Sequence, residues 1–251
     1  MIPRIYHPEA RSTDDAITLG REHFHYVKNV LRLAPGNRII VFDGAGGEYA
    51  CRLGKFSEST AELVIEDRTQ TGDSTLQITL AQSLPKGQKM DLVVQKATEL
   101  GVGRIIPFIS SRSVPKLDDD KAARRVSRWR RIAVEASRQC GRTIPPEIHP
   151  VVSFDTMLHA PLPGERRIML WEAEPERGLR NLLRDEQSAD EGFFIVIGPE
   201  GGLSWPEVDA ARRAGFATAS LGQLILRTET APLAVLAVLQ YEKGGFGSPP
   251  R

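Results

Sequence analysis

The most informative stretch of this chain reads Phe193-Phe-Ile-Val-Ile-Gly-Pro-Glu-Gly-Gly202. Its continuous apolar run predicts a strand that is covered on both faces, as the strands of parallel sheets are. The glycines that follow carry no side chains, so a ligand can approach the backbone amides and carbonyls closely. The stretch therefore predicts a parallel sheet with a small-molecule site at its carboxyl edge.

A second glycine-bearing loop lies nearer the C-terminus and reads Leu221-Gly-Gln-Leu-Ile-Leu-Arg-Thr-Glu-Thr-Ala231. It places Arg227 and Glu229 between a predicted strand and an apolar helix, and we expect the two loops to form two walls of one pocket. Two simpler interpretations stay open. The loop over Gly198–Gly202 could be a strand-to-helix turn, and Arg227 and Glu229 could form a surface ion pair of little energetic weight.

Strands and helices alternate from residue 76 to residue 245, which predicts an α/β fold with helices on both faces of a parallel sheet. The predicted strands are Leu76–Ala81, Arg104–Ile109, Arg167–Trp171, Phe193–Ile197 and Ala217–Leu221. The predicted helices include Lys89–Leu100 and Asp118–Cys140. A third begins at the capping-box pattern Ser204-Trp-Pro-Glu207 and ends at Gly215. The last is capped by Thr228 or Thr230 and ends near Tyr241.

Residues 1–70 are predicted to form a separate, smaller β-rich domain. Its short alternating runs predict strands at Arg38–Asp43, Glu48–Leu53 and Thr60–Glu66. A helix is predicted over Glu22–Leu33, where Pro35-Gly36 stops it. The polar, turn-rich segment Arg68–Thr75 is predicted to be the linker to the second domain, 76–245.

Composition excludes several classes of protein. Hydrophobic residues make up 41% of the 251 residues and charged residues 26%, which is typical of globular proteins. The longest apolar stretch, Ala231–Leu239, is shorter than the about 20 residues that span a bilayer, and residues 1–8 resemble no secretory signal, so we expect a soluble cytoplasmic protein. Two cysteines and scattered histidines predict no metal site. The common hydrolase motifs and the dinucleotide glycine pattern are missing.

Basic residues are concentrated in one part of the chain although its net charge is +1. Between Arg112 and Arg142 there are ten basic and four acidic residues, and Arg124, Arg128 and Arg131 recur at helical spacing. Arginines so placed suit phosphate contacts, although a solvated helix face is the alternative. A weaker basic stripe is predicted on the N-terminal helix, where His25, Lys28 and Arg32 share one face. The candidate RNA contacts are His25, Lys28, Arg32, Arg112, Arg124, Arg128, Arg131, Arg138 and Arg142.

Five sequence blocks occur in an order that is typical of a known family. They are His25…Val30-Leu-Arg32…Gly36, Lys89-Met90…Gln95-Lys-Ala-Thr-Glu-Leu-Gly101, Glu135-Ala136…Gln139-Cys-Gly-Arg142…Pro146, and the two glycine loops. In these blocks, which cover nearly the whole chain, the sequence resembles the ribosomal RNA small subunit methyltransferase E family of the SPOUT class. It departs from that pattern at Pro232, and Ala160–Asp190 carries no motif.

The resemblance implies a fold and a reaction beyond what the residues alone indicate. It implies a PUA-like β-barrel for RNA docking at the N-terminus, and a SPOUT-type parallel sheet with a deep trefoil knot in the second domain. It also implies a homodimer that uses S-adenosylmethionine to methylate N3 of one uridine in 16S ribosomal RNA of the small subunit. The alternatives are a SPOUT enzyme that acts on transfer RNA or on a ribose 2'-hydroxyl, and a non-catalytic RNA-binding assembly factor.

The expected roles of the site residues follow from this reaction. Arg227 is assigned the stabilisation of the uridine imide anion, and Glu229 or Glu200 either accepts the proton or binds the cofactor hydroxyls. The residues expected to hold S-adenosylmethionine are Leu170, Trp171, Glu172, Ile197, Gly198, Pro199, Glu200, Gly201, Gly202, Leu221, Gly222, Ile225, Leu226, Arg227 and Ala231.

Overall fold

The computed structural model describes residues 2–11, 13, 15–70, 76–113, 118–162, 164–184, 192–244 and 246. The chain divides into two compact units. Unit 1 comprises Met1–Ser74 and Ser137–Pro145, and unit 2 comprises Thr75–Ala136 and Pro146–Arg251. Most of the predicted linker, from residue 71 to residue 75, lies outside the described residues.

Unit 1 contains a curled sheet. Its strands, within the described residues, are β1 (Arg4–Tyr6), β2 (Ala16–Leu19), β3 (Arg38–Phe42), β4 (Gly47–Phe56) and β5 (Ala61–Gln70). Their order is β1-β3-β4-β5-β2, and every pair is antiparallel except β1 with β3. The three predicted strands are confirmed. The sequence analysis missed β1 and β2, because three or four residues are too few to show an alternating pattern.

The N-terminal helix is shorter than predicted. Helix α1 (Arg21–His25) continues as a π-helical turn over Tyr26–Val30 and then ends. Arg32 has a φ angle of +55°, and this left-handed residue lets the Leu33 N–H donate to the Val27 carbonyl at 3.0 Å. The prediction that Arg32 shares a helix face with His25 and Lys28 is therefore wrong.

Unit 2 contains a parallel sheet. Its strands, within the described part of the unit, are β6 (Gln77–Ser83), β7 (Arg104–Ile109), β8 (Glu147–Ile148), β9 (Val152–Ser153), β10 (Glu165–Leu170), β11 (Gly192–Ile197) and β12 (Ala217–Ala219). The order is β12-β10-β11-β6-β7-β8, and β9 also pairs with β7. Strand β11 is buried along its whole length between β10 and β6, which confirms the expectation from its apolar run.

Helices cover both faces of this sheet, as predicted. They are α2 (Lys89–Glu99), α3 (Asp119–Cys140), α4 (Phe154–Leu158), α5 (Leu179–Arg184), α6 (Trp205–Arg213) and α7 (Ala231–Lys243). Ile195 faces a core shared with α2, α3, α5 and α7, whereas its neighbour Phe194 faces a core shared with α4 and α6. The α/β fold class is thus confirmed. The sequence analysis missed β8, β9, α4 and α5, which are too short to show a clear periodicity.

The start of α6 is held by the predicted capping box. The Ser204 N–H donates to Glu207 Oε2 at 2.8 Å, and Glu207 Oε1 also accepts from the Ser111 N–H at 2.7 Å. Burial by itself would raise the pKa of Glu207, but its hydrogen bonds from Ser111 and Ser204 outweigh burial and lower that pKa. This ionised carboxylate ties the segment after β7 to the helix that follows the first glycine loop.

Candidate active site

A pocket of about 400 Å³ opens at the carboxyl ends of β10, β11 and β12. Its walls come from the segments that follow these three strands, and its volume is in the range of small-molecule sites. All the residues predicted to hold the cofactor line it except Gly201. The lining residues that were not predicted to hold the cofactor are Lys89, Ser220, Gln223, Leu224 and Thr228.

A buried hydroxyl joins the two glycine loops. Thr228 Oγ1 donates to the Gly198 carbonyl at 2.7 Å and accepts from Gln82 Nε2 at 3.1 Å. Thr228 and Gln82 are both buried. Thr230, the other predicted cap, stands at the N-cap of α7, but its side chain makes no capping hydrogen bond. The two loops therefore meet in space, and Thr228 connects them instead of capping the helix.

The glycines of the first loop are needed for its tight path. Gly202 has a φ angle of +67°, which favours glycine, and a Cβ at this position would lie 2.0 Å from Glu172 Oε1. A Cβ on Gly198 would lie 3.2 Å from the backbone of Gly202 and of Leu203. Gly201 lies outside the pocket lining, and its carbonyl accepts from Arg112 Nη1 at 2.8 Å. One N–H group of the Arg112 guanidinium is thus already used in a hydrogen bond within unit 2.

Lys89, the first residue of α2, joins the carboxylates of the two loops. Its Nζ lies 3.0 Å from Glu200 Oε1 and 3.1 Å from Glu229 Oε2. Glu200 also accepts from the backbone N–H of Lys86 at 3.1 Å. The three charged residues come from segments far apart in the sequence, which is why Lys89, although it begins one of the family blocks, was not predicted as a site residue.

These contacts keep both carboxylates ionised. Burial raises the pKa of Glu200 and of Glu229, but hydrogen bonds from their own backbone amides and contacts with Lys89 outweigh burial and bring each pKa below its ordinary value of 4.5. The two carboxylates in turn raise the pKa of Lys89. Because a carboxylate with a lowered pKa binds a proton weakly, this environment makes Glu200 and Glu229 poor proton acceptors.

Arg227 has a different environment. Its side chain is exposed on the pocket wall. Within the described residues, its guanidinium makes no hydrogen bond or ion pair with another side chain, although its charge contributes to the lowered pKa of Glu229. A cation without a fixed partner beside a pocket is suited to stabilise negative charge that develops on a bound molecule.

The predicted RNA contacts differ in how free their charges are. On α3, Arg124, Arg128 and Arg131 are exposed, but Arg128 pairs with Asp91 at 2.6 Å. In unit 1, Arg138 lies over the Tyr26 ring, 5.0 Å from its centroid, and hydrogen-bonds its hydroxyl. The other members of that unit are exposed or partly buried on its surface: His25, Lys28, Arg32 and Arg142.

No group of three or more histidine, cysteine, aspartate or glutamate side chains in the described ranges could hold a metal ion. No helix within those ranges is long and apolar enough to cross a membrane.

Comparisons with known proteins agree on one family. A family profile described as "RNA methyltransferase domain" matches residues 72–240, and one described as "RNA methyltransferase PUA domain" matches residues 19–66. The chain is 36% identical over 225 residues to the ribosomal RNA small subunit methyltransferase E of Bacillus subtilis, with 88% of each chain covered.

Solved structures show the same similarity. The structure of a ribosomal RNA small subunit methyltransferase E from Neisseria gonorrhoeae, bound to S-adenosyl methionine, is 34% identical with a TM-score of 0.87, and the alignment covers 98% of this chain and 100% of that one. A Legionella pneumophila methyltransferase in complex with the bound cofactor is 30% identical with a TM-score of 0.86, over 98% and 100% of the two chains.

Proposed function

Because this chain belongs to the ribosomal RNA small subunit methyltransferase E family, we propose that it transfers a methyl group from S-adenosylmethionine to N3 of one uridine in 16S ribosomal RNA. The observation that carries this proposal is the pocket between the two glycine loops, which Thr228 joins through the Gly198 carbonyl. Unit 1, which contains the segment that matches the PUA profile, is proposed to dock the RNA.

The pocket suits S-adenosylmethionine in shape and chemistry. The glycines expose main-chain groups that can bind the adenine, ribose and methionine parts, and the exposed carboxylate of Glu172 can face a positively charged group. When bound, S-adenosylmethionine supplies an activated methyl carbon, so the protein needs no covalent intermediate. The main contribution of the loops is then to align the uridine nitrogen with that carbon.

The uridine must lose its N3 proton to become a nucleophile. The resulting imide anion spreads its charge onto the neighbouring carbonyl oxygens, where Arg227 can stabilise it. Glu229 and Glu200 were the candidate proton acceptors. Their contacts with Lys89 favour the ionised carboxylates over the protonated ones, which makes both residues weak bases. We therefore assign Arg227 the larger share of the assistance, give the two carboxylates a structural role, and propose that the N3 proton passes to solvent water. The proposed reaction uses no metal.

Nucleoside analysis tests the proposed function directly. Small subunits that lack the modification are incubated with the protein and labelled S-adenosylmethionine, and the RNA is digested and analysed by mass spectrometry. We expect the label in 3-methyluridine of 16S RNA. Label in a 2'-O-methylated nucleoside or in transfer RNA would favour the other SPOUT activities. Failure to bind S-adenosylmethionine in calorimetry would favour the non-catalytic assembly factor.

Removal of charge from α3 tests the proposed RNA surface. Alanine at both Arg124 and Arg131 is expected to reduce the slope of log K against log salt by about 1.4 to 1.8, since each phosphate contact contributes about 0.7 to 0.9. Arg128→Ala is expected to change the slope less, because Asp91 already neutralises part of its charge. Filter binding at several salt concentrations measures both. An unchanged slope in the double variant would identify this helix as a solvated face.

We also propose that the chain acts as a homodimer in the cytoplasm. Helices α2 and α7 are joined where Gln240 Nε2 donates to the Leu100 carbonyl at 3.1 Å. These neighbouring helices leave Leu92, Val238 and Tyr241 exposed, and a second copy could cover such apolar side chains. Light scattering tests this proposal, since a monomer would have a mass of 27.7 kDa.

A further inference from the structure

We infer that Lys89 is a positioning residue for methyl transfer: its ammonium binds a carboxylate from each glycine loop and thereby leaves Arg227 free to act on the substrate. The inference rests on the proposed function. The inference extends the proposed function to Lys89 on α2, a helix that contributes no other side chain to the pocket wall.

The Lys89 ammonium lies between carboxylates of the two glycine loops. Glu200 belongs to the loop after β11 and Glu229 to the loop after β12, and Lys89 Nζ lies within 3.1 Å of an oxygen of each. The side chains of Glu200 and Glu229 are 26% and 15% exposed, so water screens them only in part. Without Lys89, two ionised carboxylates within reach of one point would repel each other and push the loops apart.

Arg227 is a second cation on the pocket wall. Arg227 lies two residues before Glu229 in the same loop, and its charge already favours the ionised form of that glutamate. Since Lys89 holds the Glu229 carboxylate, the Arg227 guanidinium stays without an ion-pair partner in the described part of the chain. Loss of Lys89 would leave Glu229 available to Arg227. An arginine paired in this way stabilises a substrate anion poorly, because its charge is already compensated.

A positioning role for Lys89 and direct binding of the cofactor by Lys89 have different effects on kcat and on cofactor affinity. A lysine that contacted only S-adenosylmethionine would weaken its binding when removed, and no change at Glu229 would repair the loss. A lysine that spares Arg227 would mainly lower kcat. Neutralising Glu229 would then restore activity, because Arg227 would no longer be drawn into an ion pair.

The test compares Lys89→Met with the double variant Lys89→Met/Glu229→Gln and with Lys89→Arg. We expect Lys89→Met to lower kcat about 10- to 100-fold and to raise the Kd for S-adenosylmethionine less than about fivefold, since it removes charge positioning and not a cofactor contact. The double variant should recover at least about tenfold of the lost kcat. Lys89→Arg should stay near wild type, because it retains the cation.

Lys96→Met is the matched control. Lys96 lies on the same helix and pairs with Glu99 at 2.8 Å, but it does not line the pocket, so wild-type kcat is expected. Equal losses of kcat and of cofactor affinity in Lys89→Met, or no recovery in the double variant, would overturn the inference. Recovery would also show that Glu229 is not an obligatory base.

A crystal structure of Lys89→Met gives a readout that does not depend on activity. The Arg227 guanidinium is expected within 4.0 Å of the Glu229 carboxylate, the distance that defines an ion pair. If the two remain apart, the inference fails even when kcat falls. If the wild-type protein does not methylate ribosomal RNA, the proposed function fails, and this distance still determines whether Lys89 keeps Arg227 free. Lys89→Gln and Lys89→Gln/Glu229→Gln replace the two methionine variants if Lys89→Met does not fold, since glutamine also removes the charge.

Discussion

Replacement of Arg227 by alanine is expected to lower kcat for methyl transfer about 10²- to 10³-fold, the usual effect of removing a group that stabilises a developing anion. The affinity for S-adenosylmethionine should change little, because the glycine loops bind through their main chains. The physical reason is the position of this guanidinium, which is exposed on the pocket wall and engaged by no fixed partner in the described residues. Single-turnover methylation and calorimetry measure the two quantities separately.

Arg213→Ala provides the control for this prediction. Arg213 is an exposed arginine on α6 that pairs with Asp209, and exposed ion pairs contribute little to stability or to a distant site. Its variant should keep the wild-type rate. Arg227→Lys should retain part of the activity, since a lysine supplies the charge without the planar fork of donors. Binding of cofactor and a normal rate in Arg227→Ala would remove Arg227 from the mechanism.

The parts of the fold that were predicted are those with a strong local pattern. Strand β11 is a continuous apolar run because both of its faces are buried. Helices α2 and α3 repeat their apolar residues at helical spacing because one face of each helix packs on the sheet. The second domain was predicted as α/β for the same reason. The two-residue strands β8 and β9, and the helix α5 with fewer than two turns, carry too few residues to show a period and were missed.

The predicted site was incomplete for a different reason. Glycine, proline and charged residues are visible within each glycine loop, and the resemblance to the methyltransferase family implied further cofactor contacts, so most of the pocket wall could be predicted. Lys89 and Gln82 contribute only because the ends of separate elements meet in the folded chain. Thr228 was recognised only as a possible helix cap, since its partner, the Gly198 carbonyl, is 30 residues away. Such contacts depend on tertiary structure and leave no pattern in the nearby sequence.

The Thr228→Val variant tests the contact between the loops, and it is the second large effect that we expect. Valine keeps the shape of threonine but leaves the Gly198 carbonyl and Gln82 Nε2 without their hydroxyl partner. Gln82 Nε2 still donates to the Ser83 carbonyl at 3.0 Å and lies 3.5 Å from the Gly198 carbonyl, so the cost is that of the two lost hydrogen bonds, about 0.5–1.5 kcal/mol each. Because this contact holds the two walls of the pocket together, its loss should raise the Kd for S-adenosylmethionine about 10- to 100-fold. Calorimetry with the cofactor measures this change.

Thr230→Val is the control, because it makes the same substitution two residues later at an exposed side chain that forms no capping hydrogen bond. It should bind the cofactor like the wild type, whereas Thr228→Ser should recover most of the affinity, since serine restores the hydroxyl. Wild-type affinity in Thr228→Val would mean that the main chain holds the two loops together without this bond. The pocket would then depend on Lys89 and its two carboxylates, which join the same two loops by charge.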